Sequence, residues 1–547
     1  MPSRDLSTQL LVVGGGVGGV AAALTSARLG VRVVLTEPTD WLGGQLSSQG
    51  VPPDEHEWID TLQISPSYSE LRERIRDHYR RNYPLTTSAK DDPLLNPGLG
   101  FVSRLCHEPR VAALAIEELL SPLIASGLVT VLKEVEPIAV SRHDARIEAV
   151  RFRDLRTGDE FAVHAGFVAD ATELGDLLEL GGVDYVIGAE SSAQTGELHA
   201  PDIANPFDQQ AVTWCAALEC RPGEDHTIER PAGYDHWKTT VAPFWPGSQL
   251  SWDDIEPITL DRRTRPIFET DPADAERSGA RDLWHYRRIV ARSNLAPGWP
   301  GGEVTLLNWP QADYWERPFV GVSAAEAALA AEGARDLTLS FVHWMQTEAP
   351  RFGGGTGYPE LRLRGDVMGT TDGLAKAVYV RESRRIRALS TVTEAHIGRD
   401  MRPAGAGSEI FADSVGIGYY RIDLHPSTAG RTYVDIDCYP FQIPLGALIP
   451  AAMDNLLASN KNIGTTHITN GAYRLHPVEW SIGEAVGALV TYCLRNRTVP
   501  GAVHADPERV ADYQRLLGDT LGIALAWSDE IRTTGSASEA VPIVRAS

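Results

Sequence analysis

Hydrophobic positions open the chain in blocks. LLVV at 10–13 ends on glycine, the small-residue stretch VAAALTSARLG follows, and VRVVL leads to an acid at Glu37. Short apolar runs bounded by glycine predict buried strands, and small residues between them predict a helix able to pack closely. A βαβ unit therefore begins the chain. The segment 40–58 is dense in Gly, Ser and Pro and predicts a loop.

Further along, SYSELRERIRDHYRRNY (67–83) predicts a helix with a solvated, strongly charged face. HEPRVAALAIEELLSPLIASG (107–127) has amphipathic helical spacing, with Pro109 in its first turn and Gly127 past its end. GLVTVLKEVEPIAV (127–140), which contains Val135, reads as strand. Alternation over 146–172 predicts a hairpin turning at Thr157, Gly158 and Asp159, then an apolar strand. From 201 to 444 the texture shifts to Trp, Pro, Asp and short β-like runs, interrupted by an Ala-rich helix near 323–344. Strand, glycine loop and helix return over 455–494. DPERVADYQRLLGDTLGIALAW (506–527) carries one more helical pattern, and the polar end is expected to be mobile. No internal repeat is visible.

Length and charge narrow the function. The 547 residues suffice for two or three domains, and a net charge of −23 opposes binding to nucleic acid phosphates. Five scattered cysteines without a CxxC pair suit a reducing compartment; Cys215 and Cys220 are the closest pair, read as core packing before redox chemistry. Arg4 followed by LLVVGGGVGGVAAAL imitates a signal peptide, but the glycines interrupt it and the apolar pattern resumes as VRVVL. No other run would span a bilayer, and a cytoplasmic protein is expected. No His, Cys, Asp or Glu group has metal-ligand spacing.

Gly14, Gly16 and Gly19 fit GxGxxG between a strand and a helix. The first allows the tight turn, the second lets the backbone approach a pyrophosphate, and the third lets the helix pack on the sheet. Helix N-terminal N–H groups would then face the phosphates. Glu37, 18 residues after Gly19, is placed to accept from ribose hydroxyls and would repel a 2′-phosphate, which disfavours NADP.

Three later stretches favour FAD over NAD. TEPTDWLGGQLSS (36–48) adds a second glycine loop, where Gly43, Gly44, Gln45 and Ser47 could lie along a pyrophosphate and flavin edge. FVADATELGDLLEL (167–180) ends a strand on Asp170, Ala171 and Thr172, followed by Gly175 and Asp176, as if returning to the cofactor. NIGTTHITNGAYRLHPVEWSIGEAVGALV (462–490) puts a loop before a helix beginning at Pro477, flanked by His476 and Val478. Such a helix could aim its N-terminus at the isoalloxazine N1–C2=O edge and stabilise the charge that builds there.

With these returns in order, the chain resembles the bacterial FAD-dependent oxidoreductase family of the glutathione-reductase superfamily. The resemblance extends to ATELGDLLELGGVDYVIGAES, LLNWPQADYW, ADSVGIGYYRIDLHPS and YPFQIPLGALIP. It implies an α/β fold: a Rossmann-like FAD-binding domain of glutathione-reductase type with an inserted, mostly antiparallel-β substrate domain. The expected divisions are 1–200 and 445–500 for the FAD domain, 201–444 for the substrate domain, and 501–547 for a C-terminal helix and tail. Val135 joins the expected cofactor contacts on the same basis. The resemblance implies FAD, usually non-covalent, but no one substrate.

Flavin chemistry needs a proton acceptor and donors near N5. THITNGAYRLHPVEW (466–480) offers His467, the preferred base, and Arg474, for a substrate carboxylate or the reduced flavin. Tyr420, Arg421 and His425 in GYYRIDLHPS are the next candidates. Asp54, Glu55 and His56 read as a solvated turn, with a pocket wall the alternative. Cys106 and His107 could attach a flavin covalently but read first as a helix start, and most of the 13 tryptophans as core. The leading expectation is a dehydrogenase or oxidase acting on a C–H bond of a small polar molecule. Alternatives are an NAD(P)H-using monooxygenase or reductase, a plain NAD dehydrogenase, and a non-catalytic flavin-binding protein. A halogenase is disfavoured because WxWxIP is missing.

Overall fold

The structure, a computed structural model, describes residues 5–270 and 282–534. Its opening strand β1 (Leu6–Val13) runs into helix α1 (Val17–Arg28) and then β2 (Val33–Glu37). Helices α2 (Pro66–Asn82) and α3 (Pro109–Ala125) precede β3 (Val129–Lys133), β4 (Val135–His143), β5 (Arg146–Asp154) and β6 (Glu160–Asp170). The β5–β6 turn passes through Gly158 at φ +77°, a left-handed conformation that suits glycine.

Strands β3, β2, β1 and β6 lie side by side and parallel. The chain returns to this sheet near its end, where β7 (Leu456–Ala458) pairs parallel with Val168–Asp170 of β6. The first half of β6 instead joins β5 and β4 antiparallel, so one strand ties a β-meander to the parallel sheet. Parallel strands buried on both faces are continuous apolar runs, as LLVV and VVL are.

Between these halves, 216–363 contributes a separate antiparallel sheet of four short strands, ordered 288–290, 304–307, 216–220 and 361–363. Helix α4 (Ala324–Thr347), capped by Ser323, packs over an aromatic core that includes Trp237, Trp252, Trp284, Trp309 and Trp344. These tryptophans are core, in line with the sequence expectation.

Helices α5 (His467–Tyr473) and α6 (His476–Asn496) follow β7. Glycines let α6 lie against α1: a Cβ on Gly483 would stand 2.1 Å from the Gly18 carbonyl oxygen, and one on Gly487 2.5 Å from that of Ala22.

Several expectations need correction. Stretch 467–473 is helical rather than loop, capped by Thr466, whose hydroxyl accepts from Thr469 N. The charged face of α2 is partly buried: Arg72 and Arg76 turn inward to Glu55 and Asp60, whose negative charge draws them in. Asp54, Glu55 and His56 are accordingly an inner wall and not a solvated turn, with the Glu55 side chain 1% exposed. The C-terminal pattern is helical only to Thr520, because Gly522 at φ +70° redirects the chain. The mobile end expected after it falls largely outside the described residues. The five thiols are free, and burial pushes those of Cys215 and Cys220 up to about 12, which makes them poor nucleophiles.

Candidate functional site

The carboxyl ends of β1, β2 and β6 open onto a cavity of about 440 Å³. Gly14, Gly16, Glu37, Gly44, Val135, Ala171, Thr172 and Asp176 line it, as do Ser48, Gln49 and Glu173, which no sequence motif singles out. Gly19, Gly43, Gln45, Ser47, Asp170 and Gly175 are not part of its lining. Gly19 packs α1 onto the strand end, where a Cβ would meet the Gly14 carbonyl oxygen at 1.9 Å. Gly43 adopts φ +116° and Ser47 Oγ donates to Leu42 O at 2.6 Å, which shapes the second glycine loop.

Glu37 closes one end of this cavity. Its Oε2 accepts from Gly15 N at 3.0 Å, and its Oε1 accepts from Thr39 N and Oγ1 at 3.0 and 2.7 Å. Burial pushes its carboxyl up to about 7 in spite of these bonds. Asp170, also pushed up to about 7 by burial, holds Thr172 through N and Oγ1.

The two glycine loops face each other across Glu173. A Cβ on Gly16 or Gly44 would come within 2.8 or 2.7 Å of Glu173 Oε1, so a methyl at either position must push that side chain aside. The fully buried Lys461 pairs with Glu173 and lies 3.6 Å from Glu479 in the first turn of α6. Gln49 Oε1, in the lining, is buried without a hydrogen-bond partner, as are Gln45 Oε1 and Asp170 Oδ2 behind it. A cradle of bare backbone, a buried acid at the end of β2 and an unpaired polar atom in the lining fit a dinucleotide. His476, Pro477 and Val478 begin α6 away from this lining, with His476 Nδ1 accepting from Asp54 N at 3.0 Å.

A second cavity, about 260 Å³, lies across the segment 377–381. Val378 and Val380 line the first cavity, while the alternate residues Tyr379 and Arg381 line the second. Arg474 links the two regions: its carbonyl accepts from Gln45 Nε2 at 3.0 Å, and its guanidinium donates to Tyr379 Oη at 2.7 Å and Asp423 O at 3.0 Å. Tyr420 and Arg421 line the second cavity as well. Burial raises the Tyr420 phenol well above its usual range, and Arg421 is tied to Asp435 and Asp437.

His425 stands in this cavity with Nδ1 2.5 Å from Asp313 Oδ2. Asp313 also accepts from Thr213 Oγ1 at 2.5 Å and Arg381 at 3.2 Å. Burial alone would raise the Asp313 carboxyl, but Arg381 and His425 outweigh it and hold it below the usual range. Nδ1–H therefore donates to an anion, and Nε2 faces the Asp423 carboxylate at 3.7 Å, beyond hydrogen-bond distance.

His467 is differently placed. It lines neither cavity; Nε2 accepts from Arg431 at 2.7 Å, and Nδ1 lies 2.9 Å from Glu382. Both ring nitrogens are engaged, and no lone pair is open to a substrate. Arg287, Tyr379, Arg381 and Asp423 were not singled out from sequence. Asp423 lies inside GYYRIDLHPS, while Arg287 and the pair Tyr379 and Arg381 come from two other stretches that no local motif marks.

A cavity built on the carboxyl ends of parallel strands, with its glycine loops and the acid that ends β2, defines a dinucleotide-binding flavoprotein fold. Residues 9–517 match the model of the family described as FAD dependent oxidoreductase, and the chain belongs to that family. A stretch of 109 residues is 32% identical to one component polypeptide of the Ferredoxin:CoB-CoM heterodisulfide reductase of Methanosarcina acetivorans; it covers 19% of this chain and 13% of that polypeptide. Among solved structures, the myxobacterial chondrochloren halogenase CndH aligns over 94% of this chain and 81% of its own, at 13% identity and a TM-score of 0.33. The glycerol-3-phosphate dehydrogenase of Bacillus halodurans complexed with FAD aligns over 39% and 40%, at 13% identity and a TM-score of 0.24. These structural likenesses are slight. No helix among the described residues is long and apolar enough to cross a membrane.

Proposed function

We propose that this enzyme is a dehydrogenase or oxidase that moves a hydride from a C–H bond of a small polar molecule to FAD. The observation that carries the reading is the second cavity, polar and small, separated from the first by the single segment 377–381. Most of its lining comes from 201–444, which supports that stretch as the substrate domain.

Bound FAD supplies the hydride acceptor. Glu37 would hold its ribose, and the backbone at Gly14–Gly16 and Gly44 its pyrophosphate, with Glu173 turned aside. Arg474, anchored to the second glycine loop, lines the second cavity with Tyr420 and Arg421 and would orient the substrate there. We read attachment as non-covalent: burial pushes the Cys106 thiol up to about 12 and the His107 imidazole down to about 4, and neither residue lines either cavity.

The test is anaerobic mixing of the yellow protein with small alcohols, amines, hydroxy acids and amino acids, and separately with NADH and NADPH. Bleaching by a small molecule and return of colour with an acceptor is expected. Bleaching by reduced nicotinamides alone would replace this reading with the reductase or monooxygenase one.

A further inference from the structure

Arginines crowd the second cavity, and most are already neutralised. Arg263 and Arg265 pair with Asp254, Arg381 with Asp313, and Arg421 with two aspartates. Arg287 differs. Its side chain is only 11% exposed, its ion partner Asp54 is 3.9 Å away, and Nε and Nη1 have no hydrogen-bond partner. It lies over the Tyr286 ring at 5.0 Å, which supplies no hydrogen-bond acceptor; a guanidinium withdrawn from water with those N–H groups unpaired is costly unless a ligand completes it, and its planar fork matches a carboxylate.

We propose that the second cavity binds a small organic acid through its carboxylate, with Arg287 as the anchor and His425 as the proton acceptor. This rests on the hydride-transfer reading above and names the substrate class of that same site. Arg474 Nε, also buried without a partner, adds a second donor. Asp54 and Asp423 share the lining and limit the negative charge that the cavity tolerates. A singly charged carboxylate therefore suits it better than a phosphate dianion.

The carboxylate fixes one end of the substrate, and the carbon to be oxidised carries a hydroxyl or amino group. Its C–H bond breaks with both electrons leaving as hydride to FAD. The O–H or N–H bond breaks in the opposite sense: its electron pair forms the C=O or C=N bond, and its proton passes to His425 Nε2. Asp313 is a positioning residue that holds Nδ1–H of His425 and steadies the imidazolium.

The experiment titrates the FAD-loaded protein with propionate and benzoate, with propionamide and benzamide, and with inorganic phosphate. Binding is read by the flavin spectrum and by calorimetry. Each acid is expected to bind at least tenfold more tightly than its amide and than phosphate. Arg287→Met should erase that preference, and Arg287→Lys should restore part of it, at unchanged FAD content. His425→Gln should leave acid binding within about twofold while slowing flavin reduction by at least about a hundredfold. Equal binding of acids and amides, tighter binding of phosphate, or an unaffected Arg287→Met would overturn the anchor. Undiminished reduction in His425→Gln would overturn the proton acceptor. Should Arg287→Met fail to fold, the acid–amide comparison in the unaltered protein decides. Acids that bind while nothing bleaches the flavin would defeat the hydride reading and leave the anchor standing. Bleaching by neutral molecules with no acid binding would do the reverse.

Discussion

Two alanine substitutions separate the fold from the cofactor cradle. In Gly483→Ala the new methyl would stand 2.1 Å from Gly18 O and 2.8 Å from Ala21 Cβ. Carbon–oxygen contacts this close do not occur, and the obstacle is backbone, so α1 and α6 must separate by about 0.9 Å to reach 3.0 Å. Overpacking of this kind costs about 1–3 kcal/mol. Gly16→Ala is a different perturbation. Gly16 has φ −65° and ψ −172°, a conformation open to alanine, and its Cβ would meet chiefly the movable end of Glu173 at 2.8 Å. The stability of the FAD-free protein should change by less than about 1 kcal/mol. FAD affinity should nevertheless fall at least about a hundredfold, because the methyl occupies the place where backbone must approach the pyrophosphate. Urea unfolding of the FAD-free proteins, paired with FAD titration, reads both effects. A Gly16→Ala protein that keeps native affinity would refute the cradle. A Gly483→Ala protein of unchanged stability would refute the close helix crossing.

Other expectations follow the same physics. Glu37 titrates at about 7 in the folded protein against 4.5 ordinarily, so the folded state binds its proton more tightly. Its contribution to the FAD-free protein is present below 4.5 and lost as pH rises through 7, a loss of about 3 kcal/mol; the wild-type minus Glu37→Gln difference in urea midpoints should show this slope. Arg72→Met removes the ion partner of Glu55, whose side chain is 1% exposed, and leaves Asp60 to Arg76 alone, and should cost about 3–5 kcal/mol in urea unfolding; adding Glu55→Gln should recover part of it. Asp313→Asn should slow flavin reduction and shift its pH profile while leaving acid affinity within about twofold; an unchanged profile would remove Asp313 from the chemistry.

How much of this was legible in sequence depends on the range of the interaction. The βαβ opening, the hairpin at Gly158 and the helix after Pro477 are local patterns, and each appears close to its expected bounds. Helix α2 was visible by charge, yet the burial of Arg72 and Arg76 was not, because Glu55 and Asp60 lie in another segment. His467 looked attractive for its company in THITNGAYRLHP. Its engagement by Arg431 and Glu382 depends on side chains 36 and 85 residues away. The pairing of His425 with Asp313 spans 112 residues and the approach of Arg287 to Asp54 spans more than twice that. Spacing along one chain carries no trace of such meetings.

The most direct measurement is a crystal structure of the FAD-loaded protein. The account predicts the ADP portion in the first cavity with Glu37 on the ribose, Glu173 displaced from between Gly16 and Gly44, and the flavin ring at the wall formed by 377–381, facing Arg287 and His425. A ring directed away from that wall, with the second cavity sealed from N5, would contradict it.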